Sequence, residues 1–319
     1  MQIRTATTAF WALVMVNIIW GVGFVVVDEA INVIPVYMFN TLRFSFAALA
    51  MLPLWWMTEK TQLKQVQYNA AHLFKIGMGL GLLLFLGFTT QTIGLQYTTV
   101  SNTGFITGLC VPLVPITGWL LFRIKAGLAV WLSAVIATIG LYFLTIGDKL
   151  AFNNGDILVA IGALCYAVHI TLMARFGTKL PVIMLCIVQL GSVAIYSAFA
   201  ACYQLLQLDS EHLINLLKQL ADMPVIAAVA YSAVLSSAFA YWVQTSSQRL
   251  IEPHKIALIF ALEPIFAHIA AAIHLDEQLG FKGWIGAGLI IFSMIYSELG
   301  GKKKMTIQPL EQMAAPTPE

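Results

Sequence analysis

Charged residues are scarce in this sequence. Asp, Glu, Lys and Arg together make up only 10% of the 319 residues, whereas a soluble globular domain carries roughly 25%. Hydrophobic residues supply 60% of the chain, and the mean hydropathy is +0.84. The deficit of charge excludes an ordinary soluble domain and indicates a membrane protein. The net charge of +2 is also far from the basic excess of a nucleic-acid-binding surface, so no nucleic acid is expected as a partner.

Sequence signatures of metal, cofactor and catalytic sites are missing as well. The four cysteines, Cys110, Cys165, Cys186 and Cys202, lie singly in apolar runs and form no CxxC pair, which favours buried free thiols over disulfides or metal ligands. The sequence has no HExxH, no GxSxG and no Walker A motif. We therefore expect no metal, no cofactor and no enzymatic activity.

Long apolar runs fill most of the chain. A bilayer core needs roughly 20 apolar residues per helix, and this length predicts ten membrane spans. They are residues 10–27, 36–57, 74–92, 103–122, 128–146, 157–176, 182–203, 225–244, 256–273 and 284–298. We do not expect the first run to be a cleaved signal peptide, because no convincing cleavage site follows it and nine further runs come after it.

Lys and Arg in the loops predict the orientation of these spans. If the N-terminus is cytoplasmic, thirteen basic residues lie at the cytoplasmic side and only Lys149, Lys218 and Lys282 lie outside. This bias predicts that both termini are cytoplasmic. The cytoplasmic set consists of Arg4, Lys60, Lys64, Lys75, Arg123, Lys125, Arg175, Lys179, Arg249, Lys255 and Lys302 to Lys304.

Two segments outside the spans have their own character. Residues 204–223 predict a short amphipathic helix at the membrane surface, with Ser210 as its N-cap and leucines at helical spacing. The tail, residues 301–319, has three consecutive lysines near its start and two prolines near its end. We expect it to be disordered and cytoplasmic.

A weak internal repeat relates the two halves of the chain. "PVYMFNTLRFSFAA" from Pro35 resembles "PVIMLCIVQLGSVA" from Pro181, and further along Pro112 lies over Pro264. Each half then holds five spans, so the second half enters the membrane with the opposite orientation. The sequence thus predicts an all-α membrane protein of ten transmembrane helices in two inverted five-helix repeats, residues 1–150 and 151–300. Secondary transporters use this architecture, with a site near the membrane midplane between the repeats.

Four stretches also resemble a known family. They are "IIWGVGFVVV" in the first span, "LRF" at 42–44, "GLQYTTVSNTGFITGL" at 94–109 and "LEPIFAHIAAAIHLDEQLGFKGWIGAGLII" at 262–291. Together they resemble the EamA-type permeases of the drug/metabolite transporter superfamily. The most specific part is the Glu-Pro pair in the ninth span, followed by the acidic Glu277 and a Gly-rich tenth span; one departure is Lys125, where the second half has Glu277. The resemblance covers about residues 9–299 and implies a ten-helix carrier of small metabolites or amphipathic compounds, often directed outward, without identifying a substrate.

Two ionisable residues lie well inside predicted spans, where charge is costly. Glu263 falls near mid-depth, and the adjacent Pro264 removes a backbone donor from the helix. A carboxyl group there is a candidate proton or cation site, and the alternative is a structural hydrogen bond between helices. Arg43, with Asn40 three residues before it on the same helical face, could bind a substrate carboxylate or phosphate. The alternative for Arg43 is a structural partner of Glu263 or of helix carbonyls.

Aromatic and histidine side chains are candidates for the lining of the pathway. Trp20 and Tyr166 occupy equivalent places in the two halves, and His169 lies one turn beyond Tyr166. They could line a site for an amphipathic or cationic substrate, or simply pack against helices or lipid. His268 follows Glu263 by five residues and faces another direction; a pathway role and a buried structural histidine are both open.

Polar residues in the third, fourth and eighth spans complete the candidate set. Thr103 and Thr107 lie one turn apart, on the stripe equivalent to the one that leads to Glu263. Gln91 and Gln244 could offer amide contacts to a polar substrate, and the alternative is anchoring at the membrane interface.

These features predict a secondary active transporter of small metabolites, amino acids or related amphipathic compounds. We expect it to work as an exporter by alternating access in the inner (plasma) membrane. Import or exchange of metabolites is the alternative mode, and a non-transporting receptor or an intramembrane enzyme is the rival class. Proton coupling is a hypothesis that depends on Glu263, and monomer and homodimer both remain open. A mid-depth cavity lined by polar groups from both halves would favour the transporter.

Overall fold

The computed structural model describes residues 3–59, 69–145, 153–275 and 280–300, and all regular secondary structure within them is helical. The tail at 301–319, Glu277 and several of the loop lysines lie outside these residues. The first half contains α1 (Ala6–Ile31), α2 (Val36–Leu54), α3 (Ala70–Leu95), α4 (Val100–Gly108), α5 (Cys110–Phe122) and α6 (Leu128–Thr145). The second half contains α7 (Asn154–Leu172), α8 (Val182–Leu205), α9 (Ser210–Leu220), α10 (Met223–Ala233), α11 (Ala240–Ser247), α12 (Pro253–Phe260), α13 (Glu263–Leu275) and α14 (Phe281–Gly300).

Within the described residues, six helical segments are long and apolar enough to cross a membrane. They are Ala6–Ile31, Ala70–Leu95, Asn102–Phe122, Asn154–Gly177, Val182–Leu205 and Met223–Ser247. Shorter apolar helices cover Leu128–Phe143 and Phe281–Ser297. α2 carries the polar Asn40 and Arg43 and belongs to neither the long nor the short apolar helices. The separate helices α12 and α13 belong to neither group either.

Helices lie where the sequence predicts spans, but two predicted spans are interrupted. The span predicted over 103–122 is divided at Leu109, between α4 and α5. The sequence predicts a continuous span over 256–273, whereas the structure ends α12 at Phe260 and begins α13 at Glu263. The described residues include three π-helical turns. Trp55–Glu59 extends α2, Met173–Gly177 extends α7, and Val234–Phe239 joins α10 to α11. Such turns widen the helix by one residue and are frequent at functional sites.

Side-chain caps explain where several helices begin. Thr5 caps α1 by accepting from the Thr8 backbone N–H, and Asn153 caps α7 by accepting from the Asp156 N–H. The prediction that Ser210 caps the surface helix is wrong. The cap is Asp209, whose carboxylate accepts from the backbone N–H of His212 at 2.9 Å. That backbone hydrogen bond and the His212 side chain lower the pKa of Asp209, because both favour the charged carboxylate.

Helices of the two halves pack against each other throughout the molecule. The main pairs are α1 with α13, α2 with α8, α3 with α7 and α8, α5 with α7, and α6 with α14. Some of these contacts need glycine: a Cβ atom on Gly94 would come within 2.7 Å of the Gly155 carbonyl oxygen. Such close approach of backbones is typical of helices packed in a membrane.

The outer surface of the bundle is rich in large apolar side chains. Leu128, Phe199 and Phe281 are 74% or more exposed, which would be unfavourable in water. In a bilayer these side chains face lipid, and the surface agrees with the composition of the chain.

Candidate functional site

Two predicted spans are interrupted next to a proline. The break between α4 and α5 precedes Pro112, and the break between α12 and α13 precedes Pro264. Because proline has no N–H, Pro112 cannot donate to the carbonyl of Gly108 four residues earlier. For the same reason Pro264 cannot donate to the carbonyl of Phe260. Each half therefore has one broken helix with a backbone carbonyl that lacks its usual helical donor.

A cavity lies where these two breaks meet α1, α2, α3, α7 and the segment from α10 to α11. Its wall includes Leu95, the last residue of α3, and Val27 near the end of α1, so it reaches that end of the bundle. The wall consists of Trp20, Phe24, Val27, Arg43, Phe88, Gln91, Thr92, Leu95, Thr107, Gly108, Cys110, Tyr166, His169, Ile170, Ser236, Tyr241, Gln244, Phe260 and Glu263.

A chain of three hydrogen-bonded side chains forms one wall. The Tyr166 hydroxyl donates to Gln91 Oε1 at 3.0 Å, and Gln91 Nε2 donates to Thr107 Oγ1 at 2.7 Å. Gly87 makes room for it, since a Cβ atom there would lie 2.6 Å from Cε1 of Tyr166. This chain links α7, α3 and the end of α4 beside the first helix break.

Arg43 connects α2 to the π-helical turn at Val234–Phe239. Its Nε donates to Ser237 Oγ at 2.7 Å, and its Nη2 donates to Ser236 Oγ at 3.0 Å. The guanidinium lies 4.7 Å from the ring centroid of Phe88 and 5.0 Å from that of Phe44, within the range of cation–π attraction. Arg43 is only 3% exposed, and in the described part of the chain it makes no salt bridge. With five N–H donors and two used by the serines, it has donors left for an anion.

Aromatic rings cover much of the remaining wall. Trp20 donates from Nε1 to the carbonyl of Ser236 at 2.8 Å. Its ring lies 5.0 Å from Phe260 and 6.1 Å from Tyr241, centroid to centroid. The turn that carries Ser236 therefore fixes both Trp20 and Arg43.

Glu263 begins α13 and faces the cavity from the second helix break. It is partly buried, and among the residues that the structure describes its carboxylate has no hydrogen-bond or salt-bridge partner. Arg43 lines the same cavity but binds the serines and not Glu263. A carboxyl group in this setting is available for a proton, a cation or a substrate group.

Polar side chains also lie toward the end of α11. His169 Nε2 lies 2.8 Å from Gln189 Oε1, and its ring lies 6.2 Å from that of Tyr241. Gln244 lines the cavity, yet its Oε1 has no hydrogen-bond partner.

The structure brings eight of the eleven predicted site residues to the cavity: Trp20, Arg43, Gln91, Thr107, Tyr166, His169, Gln244 and Glu263. The other three do not line it. Asn40 is fully buried with both side-chain polar atoms unpartnered, Thr103 donates to the Thr99 carbonyl of its own helix, and His268 Nδ1 lies 3.1 Å from the Pro264 carbonyl.

Sequence reasoning missed the serine pair and Tyr241. Ser236 and Ser237 stand together in the apolar run "AVLSSAFAYW", and two adjacent hydroxyls inside a span would have been a usable signal. No group of three or more potential metal ligands occurs in the part of the chain that the structure describes.

Known proteins resemble this chain over nearly its whole length. The sequence matches the EamA-like transporter family over residues 7–146 and 153–297. An uncharacterized transporter from Archaeoglobus fulgidus is 31% identical over 287 residues, which cover 90% of this chain and 84% of that protein. A solved crystal structure shares the fold with a TM-score of 0.71 at 15% identity, over 93% of this chain and 98% of that one. The chain therefore belongs to the EamA-like transporter family and is a multi-pass membrane transporter of small molecules.

Proposed function

We propose that the protein is a secondary active carrier that moves small metabolites by alternating access, with the central cavity as its substrate site. The observation that carries this proposal is the cavity itself, which both halves of the chain line and which adjoins two proline-broken helices. Broken helices at a mid-depth site are characteristic of secondary transporters, because a break lets one half of a span tilt without the other.

The pattern of helix pairs supports two inverted repeats of five spans, residues 1–150 and 151–300. If each helix is replaced by its counterpart in the other half, the pair α1–α13 becomes the pair of α7 with α4 and α5. In the same way, the pair α3–α7 becomes α1–α11. The structure contains all of these contacts. The pairs α2–α8 and α6–α14 convert into themselves. From the basic loops we infer ten spans in the inner membrane with both termini cytoplasmic, so that the end of the cavity at Val27 and Leu95 would face the outer side.

The chemistry of the wall favours an amphipathic substrate with an anionic group. Six aromatic residues surround the cavity, and Arg43 and the amide of Gln91 supply its main polar donors. Amino acids and related compounds fit this combination, with the carboxylate at the unused donors of Arg43. The aromatic rings would bind the apolar part.

Glu263 is the group we propose for proton coupling. It faces the cavity without a partner in the described structure, and an ionised carboxyl is costly in hydrocarbon unless it is compensated. Binding and release of a proton there would change the charge of the site between the two open states. Glu263 and Arg43 are thus assigned different tasks, the proton and the substrate anion.

The direction we propose is export, and the test begins with cells. Metabolite profiling of cells that overexpress the protein should reveal compounds that accumulate outside, and cells that lack it should retain them. Purified protein in liposomes should then exchange labelled for unlabelled compound, whereas liposomes without protein should not. Accumulation inside the overexpressing cells would establish import, and the absence of any counterflow with every compound from profiling would contradict the carrier function.

A further inference from the structure

Polar side chains continue beyond the cavity toward the end of α11. Tyr241, Gln244 and Gln248 are spaced three and four residues apart, so they lie on one helical face. Tyr241 and Gln244 line the cavity, and Gln248 one turn further donates from Nε2 to the Ile170 carbonyl at 3.2 Å. Gln248 is 5% exposed, so this side of the cavity is closed in the structure.

Four side chains here form what we call the inner polar patch: Gln189 of α8, Gln244 and Ser247 of α11, and Gln248 directly after it. Each has a buried polar atom without a hydrogen-bond partner among the described residues, namely Nε2 of Gln189, Oε1 of Gln244, Oγ of Ser247 and Oε1 of Gln248. A buried polar atom left unpaired is unfavourable, and an apolar side chain of similar shape would avoid that cost. Val243, next to Gln244, illustrates the alternative, because it is fully buried in an apolar cluster.

Helices at the patch adjoin π-helical turns. α7, whose His169 and Ile170 contact Gln189 and Gln248, runs into the turn Met173–Gly177. α11, which carries Gln244 and Ser247, begins where the turn Val234–Phe239 ends. The second of these turns also holds Arg43 through Ser236 and Ser237. A displacement of Arg43 by a substrate anion would therefore act on the helix that leads to the patch.

We propose that the inner polar patch is the closed half of the transport path. When the carrier opens to the opposite end of the bundle, these amide and hydroxyl groups become hydrated and contact the hydrophilic part of the substrate. This inference depends on the alternating access proposed above, and it extends the path from the cavity-lining Gln244 to Gln189, Ser247 and Gln248, which do not line the cavity in the present conformation.

Cysteine accessibility in membrane vesicles tests the assignment without knowledge of the substrate. In a background where Cys110, Cys165, Cys186 and Cys202 are replaced by Ala or Ser, Gln244→Cys, Gln248→Cys and Val243→Cys are treated with a membrane-impermeant thiol reagent from one side at a time. All three positions are at most 5% exposed in the structure. From the side of the α11 end, we expect Gln244→Cys and Gln248→Cys to react at least about tenfold faster than Val243→Cys, since a minor open conformation suffices for labelling. Ser247→Cys is the second variant if Gln248→Cys does not elute as a folded protein.

The cavity wall provides the reference for the opposite state. Thr92→Cys, on the cavity wall one turn before Leu95, should react from the side on which α1 and α3 end. If Thr92→Cys reacts there and the patch positions are as slow as Val243→Cys from both sides, the patch is static core and the inference is wrong, although the proposed carrier stands. If Thr92→Cys and Gln248→Cys both react rapidly from the same side in one conformation, cavity and patch form a continuous pore, and alternating access fails with them.

Discussion

The two proline-broken spans share a backbone design but differ in chemistry. At the first break, between α4 and α5, the neighbouring side chains are neutral, and Thr107 accepts a hydrogen bond from Gln91, which also accepts from Tyr166. At the second break, between α12 and α13, Glu263 lies directly before Pro264, and its carboxylate has no partner in the described residues. One break is stabilised by a closed neutral network, and the other presents a free ionisable group to the same cavity.

This difference separates two requirements of a carrier. Both broken helices can bend, so the geometry needed to change the access of the site is present twice. Only the second break can gain or lose a proton, so coupling to an ion gradient would reside in one half. In the proposed mechanism, the two broken helices supply the motion and Glu263 alone supplies the coupling.

Replacement of Glu263 should have the largest effect. We expect Glu263→Gln to lower transport driven by a pH gradient by more than about tenfold, because the amide keeps the shape but cannot carry a proton. Transport in proteoliposomes should also lose its dependence on pH. Glu211→Gln, at an exposed carboxylate of the surface helix α9, is the control and should change neither quantity appreciably; a Glu263→Gln protein with the rate and pH profile of the wild type would assign Glu263 to structure.

A methyl group at Gly87 should disturb the network of the first break. The new Cβ of Gly87→Ala would lie 2.6 Å from Cε1 of Tyr166, so the ring must shift away from Gln91. Overpacking of a tight contact costs about 2–3 kcal/mol, measurable as a lower midpoint of thermal unfolding in detergent. Gly79→Ala on the same helix has no atom within 4 Å of its new Cβ and should be neutral or slightly stabilising, since Ala favours the helix over Gly; equal destabilisation by both would show that the contact with Tyr166 does not decide the result.

Much of the fold followed from hydropathy, because each long apolar run has one stable solution in a bilayer, a helix. The helix break before Glu263 was not predicted, since a proline can bend, interrupt or simply begin a helix, and the packing partners decide which. Likewise, Ser210 and Asp209 are adjacent and both suit an N-cap, and only the backbone geometry selects Asp209.

The candidate site could be predicted as far as single residues allow. Glu263, Arg43 and Tyr166 stood out because polar groups inside spans are costly. The partner of Arg43 could not be derived, because the guanidinium can reach several helices and the charge of Glu263 was the obvious alternative. Ser236 and Ser237 became its acceptors through a π-helical turn, a feature without a clear sequence pattern.

Loss of the Thr107 hydroxyl should weaken the same network less than the change at Gly87. Thr107→Val leaves Gln91 Nε2 without its acceptor, and an unpaired buried donor costs about 1–2 kcal/mol where water in the cavity replaces part of the bond. The expected result is a modest drop in thermal stability and weaker substrate binding. Thr138→Val is the matched control, since Thr138 donates only to the carbonyl of its own helix; an equal loss in both variants would contradict a specific role of the Gln91 contact.

The smallest change removes only the Tyr166 hydroxyl. In Tyr166→Phe the ring still fills the space beside Gly87, and the lost bond to Gln91 is a neutral one worth about 1 kcal/mol or less. Tyr196→Phe, which removes a hydroxyl from a ring packed on Phe85, should be neutral by comparison. Because Tyr166 and Thr107 bind opposite ends of the same Gln91 amide, we expect the double variant to be less unstable than the sum of the two single changes. Strict additivity in thermal unfolding would mean that the three side chains act separately, and the first break would then lack the cooperative network that distinguishes it from the break at Glu263.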